Sequence, residues 1–180
     1  VFNAHLLRAV FSLSFYALLR ASEYTSPYTH VFDADQTLLR SDIQVSSSMI
    51  IVYIKQSKTD IFRAGCHLRV AATSTRHCPV LALQRWLTIH PSRRAPLFIF
   101  SDGSFLTRSR LSNILSSCLR DVSLNTHSFR IGGASLAASN GLPDSVIQVL
   151  GRWSSNAFLR YLHYDDCAIH RLSCTHTRWG

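Results

Sequence analysis

The sequence predicts an α+β domain, mainly helical, with one small antiparallel sheet. Three observations point there. Several segments carry apolar residues at helical spacing. One β-branched run, Met49–Lys55, is followed by polar residues, a second turn signal and an apolar return at His67–Ala72, the pattern of paired strands. The chain has 180 residues and no repeat, low-complexity stretch or linker, the length of a single domain.

Residues 2–19 read as the first helix. Phe2, Leu6, Val10, Leu13 and Ala17 form one apolar stripe, and Leu7, Phe11, Phe15 and Leu18 form a second beside it. Two adjacent stripes make a wide buried face, with Arg8 and Ser12 at its polar edge. Arg20 and Glu23 fall on the last turn at the spacing of an ion pair, and Pro27 prevents much continuation. A turn-rich lead-in follows, with one strand near Leu38–Ile43. Gln56-Ser-Lys-Thr-Asp60 is a polar hairpin turn or its shoulder, and Ala64-Gly65 is a second turn. The simplest product is an antiparallel sheet of two or three strands, with Lys58 on an exposed arm.

Pro79–Ile89 has helical spacing, with proline at a favoured first position and Val80, Leu83, Trp86 and Leu87 on one face. Leu97–Phe100 reads as a short strand or extended segment. Thr107 caps a helix that runs to about Leu119. Another helix starts near His127 and ends at Gly141, and its glycines and alanines imply close approach of a second backbone. Pro143-Asp144 opens a short helix that stops at Gly151. Ser154 or Ser155 caps a last helix carrying Phe158, Tyr161 and Leu162. After Tyr164 the tail is polar and rich in His and Arg.

The net charge is +9 and the pI about 9.9, a balance suited to polyanionic partners. Arginine supplies nearly all the positive charge, since Lys55 and Lys58 are the only lysines. Its planar fork suits bidentate phosphate contacts. Five irregularly spaced cysteines make no disulfide framework, which places the chain in a reducing compartment. Cys66-His67 and His77-Cys78 are adjacent pairs, and neighbours on a strand face opposite ways, so they make poor zinc ligands. The apolar run 9–19 behind Arg8 has the composition of a signal-peptide core. It is too short to span a bilayer, and Arg20-Ala-Ser-Glu23 explains it better. The sole methionine is Met49, so the chain is read as a processed product, excised domain or fragment.

The chemistry rests on a set rather than on any one residue: Arg20, Lys58, His127, Arg130 and Tyr161. A phosphodiester is a poor electrophile because its oxygens are negative. In-line attack needs that charge neutralised, which arginines do by bidentate hydrogen bonds. The leaving alkoxide needs a proton, from a lysine or histidine. A tyrosine hydroxyl, with a pKa of about 10, ionises more readily than serine and serves as nucleophile. Only ten carboxylates are present and none pairs with a histidine at ligand spacing, so no two-metal site is visible.

The segments LLRASE (18–23), SKTD (57–60), HCPVLAL (77–83), HSFRIGGAS (127–135) and LGRWSSNAFLRYLH (150–163) together resemble the catalytic domain of the tyrosine recombinase (phage-integrase-like) superfamily. The wording is most similar to the branch found in eukaryotic transposons of the DIRS and Crypton kinds. The resemblance covers about residues 5–164. It implies the DNA breaking-rejoining fold, a helical domain over residues 1–165 with a small three-stranded antiparallel sheet, followed by a tail, 166–180. It implies Arg20 as the first catalytic arginine, supported by Glu23. Lys58 becomes the hairpin lysine that protonates the leaving 5′ oxygen, with Lys55 as the alternative. His127 and Arg130 match the H-x-x-R pair, one exchanging a proton and the other clamping a nonbridging oxygen. Tyr161 becomes the nucleophile, giving a 3′-phosphotyrosyl link and a free 5′ hydroxyl. No cofactor or metal is implied. The implied partner is double-stranded DNA, bound by a homotetramer, with no membrane role; the location is the nucleus, or the cytoplasm for a bacterial source.

The chain departs from the family pattern twice. Family members carry His or Trp nine residues before the tyrosine, just after a glycine. Gly151 stands ten before Tyr161, but the next position is Arg152, followed by Trp153. Arg152 is assigned the phosphate contact and Trp153 a packing role. Tyr164, the rival nucleophile, misses the spacing by three residues. The helical domain that precedes the catalytic one in the family is also absent from this chain, which predicts weak, salt-sensitive DNA binding. Arg63, Arg69, Arg76, Arg108 and Arg110 are unassigned candidates for backbone contacts. Three other readings compete: an inactive DNA-binding relative, a type IB topoisomerase and, with no aromatic-interleaved motif to support it, an RNA-binding module.

Overall fold

The computed structural model describes residues 1–55, 65–90, 94–118 and 124–162, apart from the side chains of residues 157, 160 and 161. Six α-helices and a three-stranded antiparallel sheet are present among them, with strand order β1-β2-β3. The helices are α1 (Phe2–Tyr16), α2 (Ala21–Tyr24), α3 (Pro79–Ile89), α4 (Arg108–Cys118), α5 (Ser128–Ser139) and α6 (Asp144–Gly151). The strands are β1 (Ile43–Val45), β2 (Met49–Ile54) and β3 (Cys66–Ala71). No described helix is long and apolar enough to cross a membrane.

The main core forms where α1 meets α3, α4 and the sheet. Leu6, Val10 and Leu13 of α1 pack with Val80, Leu83 and Trp86 of α3, Leu111 and Leu115 of α4, and Ile50, Val52 and Ile54 of β2. Strand β2 alternates buried and half-buried residues, as its one-sided packing requires. The Trp86 indole donates to the Leu97 carbonyl at 2.8 Å, which satisfies its only polar group within the core. The second stripe of α1 faces α5, where Phe11 stacks on Phe129 with ring centroids 4.9 Å apart. A smaller core joins Leu18, Ala134, Ala138, Ile147 and Phe158 and binds α5 to α6.

Helix α5 lies against α1 because Gly133 has no side chain. A Cβ there would stand 2.3 Å from the Phe15 carbonyl oxygen and 2.6 Å from a Leu18 methyl. The close approach foreseen from the small-residue run is therefore real, and α1 is the backbone that approaches. Helix α4 begins as expected, with the Arg110 N–H donating to the Thr107 hydroxyl at 3.2 Å.

Several boundaries differ from expectation. Helix α1 ends at Tyr16, because Leu18 takes a left-handed conformation (φ 48°). Arg20 and Glu23 therefore start α2 instead of closing α1. The strand expected near Leu38–Ile43 is a 3-10 turn, Arg40–Asp42, leading into β1, because the Asp42 carboxylate accepts the Leu39 N–H at 2.7 Å and caps a turn there. Leu97–Phe100 is extended and held by isolated bridges. The last predicted helix is a 3-10 turn, Asn156–Tyr161, around the buried anchor Phe158. The polar shoulder at 56–60, the loop proline Pro91 and the tail beyond 162 lie outside the described residues.

Candidate active site

Two helix ends meet at the site, and both finish unusually. At the end of α1 the Leu19 N–H donates to Ser14 O at 3.0 Å and the Leu18 N–H to Phe15 O at 3.4 Å. At the end of α6 the Trp153 N–H donates to Gln148 O at 3.1 Å and the Arg152 N–H to Val149 O at 3.0 Å. Both are paired Schellman closures, which need a left-handed residue and favour glycine. Leucine and arginine fill that position here, with φ 48° and 56°. The glycine stop foreseen at Gly151 is thus displaced by one residue. Gly151 remains helical and is needed for another purpose: a Cβ on it would lie 1.6 Å from the Trp153 ring.

The carbonyls freed at these ends bind arginines. Arg130 donates to the carbonyls of Leu18 and Gly151. Arg20 donates to the Arg152 carbonyl at 2.8 Å. Helix C-termini carry partial negative charge, so cations are favoured there. One carboxylate completes the cluster. Glu23, with its side chain only 1% exposed, pairs with Arg20 at 3.0 Å and Arg152 at 2.6 Å, and it accepts the Arg20 backbone N–H at 2.8 Å. Sequence reading assigned this acid to Arg20 alone; the fold gives it to Arg152 as well.

Arg130 lies deepest. It is 1% exposed, and its guanidinium stacks over Trp153 at 4.0 Å. Burial, then repulsion by Arg20 and Arg152, brings its pKa down to about 9, so it stays charged at neutral pH. Trp153 also packs on Phe158, with centroids 5.4 Å apart. Arg20 and Arg152 keep 16% and 13% of their side chains exposed, so these two reach the surface of the cluster. His127 is half-buried at the N-terminus of α5, one residue ahead of the helix. Burial, then Arg130, Arg108 and Arg20, lowers its pKa below the ordinary value.

No family model matches the chain, and no curated protein does. Solved structures do. XerA recombinase superposes with a TM-score of 0.71 over 97% of this chain and 59% of its own, at 18% identity. The XerH site-specific recombinase bound to its difH substrate, in a pre-cleavage complex, gives 0.64 over 99% and 48%, at 19% identity. The fold is that of a tyrosine recombinase catalytic domain. An FLP recombinase–Holliday junction complex also matches, with a TM-score of 0.53 over 99% of this chain and 46% of that one, at 15% identity. This chain spans about half the length of these solved recombinases.

On this tyrosine recombinase fold, Arg20, Glu23, His127, Arg130, Arg152 and Trp153 converge on one place. Lys58 lies outside the described residues, as do Tyr164 and Arg63. Tyr161 closes the final 3-10 turn, and its hydroxyl lies outside the described part. Lys55, the alternative lysine, is bound by Asp42 at 2.7 Å. Among the described residues, no group of three His, Cys, Asp or Glu stands together as a metal site. Two features were missed by sequence reading, the Leu18 and Gly151 carbonyls, and Arg108, left unassigned among the basic residues, proves to be an exposed residue at the start of α4 that acts electrostatically on His127. Nothing in a leucine announces a left-handed helix end. An arginine cluster with a single buried carboxylate is chemically an anion site: it carries excess positive charge and two partly exposed guanidinium forks.

Proposed function

We propose that this chain is the catalytic domain of a tyrosine-type site-specific DNA recombinase. It breaks and rejoins strands through a 3′-phosphotyrosyl intermediate, in the integration or excision of a mobile element of the DIRS/Crypton kind. The observation that carries the reading is the cluster of Arg20 and Arg152 on buried Glu23 with Arg130 held on the Leu18 and Gly151 carbonyls next to them, beside a histidine of lowered pKa, on a recombinase fold. Two of these arginines meet the scissile phosphate and stabilise the charge of its pentavalent transition state. Neutral His127 takes the Tyr161 proton as the phenolic oxygen attacks phosphorus. The bond to the 5′ oxygen breaks, and Lys58 supplies the proton that makes it a hydroxyl. The phosphotyrosyl bond keeps the energy of the bond it replaced, so the 5′ hydroxyl of a second strand reverses the step without ATP. Double-stranded DNA is the partner, a tetramer the assembly and the nucleus the location.

A second reading has its own support. Arg130 is sealed between two carbonyls and an indole, and Arg152 is turned inward to Glu23. A DNA-binding relative without chemistry would be built this way.

Covalent trapping separates the two. The protein is mixed at low salt with nicked, partly randomised duplexes whose cleavage releases a short fragment, and denaturing gels are read for a protein–DNA adduct. An adduct that is lost with Tyr161→Phe and Arg130→Ala but kept with Tyr164→Phe supports the recombinase. An adduct surviving Tyr161→Phe removes that nucleophile, and none at all favours the binding protein.

A further inference from the structure

We propose that Arg108 is a further DNA-binding residue: it takes a backbone phosphate at the rim of the arginine cluster, while Arg110, two residues along the same helix, takes none. This rests on the reading above only in that duplex DNA is the partner.

The fold carries Arg108 to that rim. It is the first residue of α4. The segment ahead of it is tied to the chain leaving α2: the Ser26 N–H donates to the Leu106 carbonyl at 2.8 Å, and Ser26 bridges Thr107 in parallel. Glu23 and the capping Arg20 belong to that same α2. The start of α5 closes in from the other side, where His127 feels the charges of Arg130, Arg108 and Arg20. The arginines therefore lie at three depths. Arg130 is buried, Arg20 and Arg152 are mostly covered, and Arg108 is exposed.

The two arginines in the first turn of α4 are held differently. Arg110 is fully engaged nearby: it pairs with Asp102 at 3.1 Å, donates to the Ser104 hydroxyl and lies 3.5 Å over the Phe100 ring. Arg108 makes no hydrogen bond and no ion pair among the described residues. Its place is also electrostatically unfavourable. The first turn of a helix carries partial positive charge and disfavours a cation. Arg130 and Arg20 share with it the same histidine, so like charges gather on this side. A guanidinium held against its helix dipole, in the company of other arginines and without an acid, lacks an anion. A phosphate supplies one and matches the planar fork with two hydrogen bonds. DNA is a chain of phosphates, so a strand held by the inner arginines presents another phosphate beside them.

Fluorescence anisotropy on two duplexes of unrelated sequence, between about 50 and about 200 mM salt, tests this. The wild type is compared with Arg108→Gln, Arg108→Lys and Arg110→Gln. Each neutralised phosphate adds about 0.9 to the slope of log affinity against log salt. Arg108→Gln is expected to flatten that slope by about 0.9 and to weaken binding about tenfold at about 50 mM salt, equally on both duplexes. Arg108→Lys keeps the charge and should keep the slope. Arg110→Gln should leave the slope unchanged and lower the urea midpoint instead, since it breaks the pairing with Asp102. Arg108→Gln should melt no earlier than the wild type, and an earlier melt would place Arg108 in the fold and overturn the proposal. An unchanged slope with Arg108→Gln would also overturn it. So would equal flattening by Arg108→Gln and Arg110→Gln, the effect of net charge alone, or a loss confined to one duplex, the mark of a base contact. If the wild type binds neither duplex, DNA falls as the partner and the reading above fails first. The expected slopes without a covalent adduct would sink the recombinase chemistry and leave Arg108 in its role.

Discussion

His127 is half-buried within the field of three arginines, Arg130, Arg108 and Arg20. Its folded pKa lies below the ordinary 6.5 through burial and through Arg130, Arg108 and Arg20. The unfolded chain then holds more protons than the folded one between the two pKa values, so stability rises with pH across that window. The contribution is fully present above the unfolded value and is lost as pH falls through the folded one. Wild type should therefore lose more stability than His127→Gln between about pH 7.5 and about pH 5. Denaturant melts at each pH check this, and equal losses would mean that neither burial nor the arginines disfavour its charged form. A neutral histidine at neutral pH is also the state that the proposed proton transfer from Tyr161 requires.

Helix ends decide where the arginines go. Three helices close with paired Schellman bonds, and only α5 uses glycine, Gly141 at φ +81°. Leu18 and Arg152 occupy the same position at α1 and α6, at a conformational cost of about 1–2 kcal/mol each. Both costs fall where a carbonyl meets an arginine, and both side chains are engaged, Leu18 in the smaller core and Arg152 on Glu23. The two adjacent glycines of α5 should behave differently. Gly133→Ala forces a Cβ into the Phe15 carbonyl and is expected to destabilise by more than about 2 kcal/mol. At Gly132 the nearest obstacle is the Phe15 ring edge at 3.2 Å. The gain in helix propensity, about 1 kcal/mol, offsets moving that ring, so Gly132→Ala should stay within about 0.5 kcal/mol of wild type. Urea melts of the two variants compare them directly, and equal effects would refute the close contact between α5 and α1.

Charge acts over the whole molecule. With a net +9 carried almost wholly by arginine, binding to duplex DNA should be dominated by counterion release. If the chain neutralises about five phosphates, its affinity should fall about 500-fold between about 50 and about 200 mM salt. Fluorescence anisotropy on a labelled duplex measures the slope. An affinity insensitive to salt would remove DNA backbone as the partner. Fold and charge are separate matters here: the same arginines that give the chain its balance include one, Arg130, that is buried and held by carbonyls.

Local pattern determined most of the architecture. Apolar spacing gave α1 and α3, proline marked the start of α3, Thr107 the start of α4, a β-branched run gave β2 and the return after the Ala64-Gly65 turn gave β3, because each signal is a short-range preference read within one or two turns. The order Arg20, His127, Arg130, Arg152 was legible for the same reason, as residue types at spacings. What packing alone decided was how those residues meet. The seating of Arg130 on the Leu18 and Gly151 carbonyls, that of Arg20 on the Arg152 carbonyl, and the sharing of Glu23 by two arginines 132 residues apart all depend on contacts between distant segments. A buried carboxylate takes whichever cations the fold brings to it, since leaving one unpaired costs several kcal/mol, about 3–5. That choice is made across the chain, where no local signal reaches.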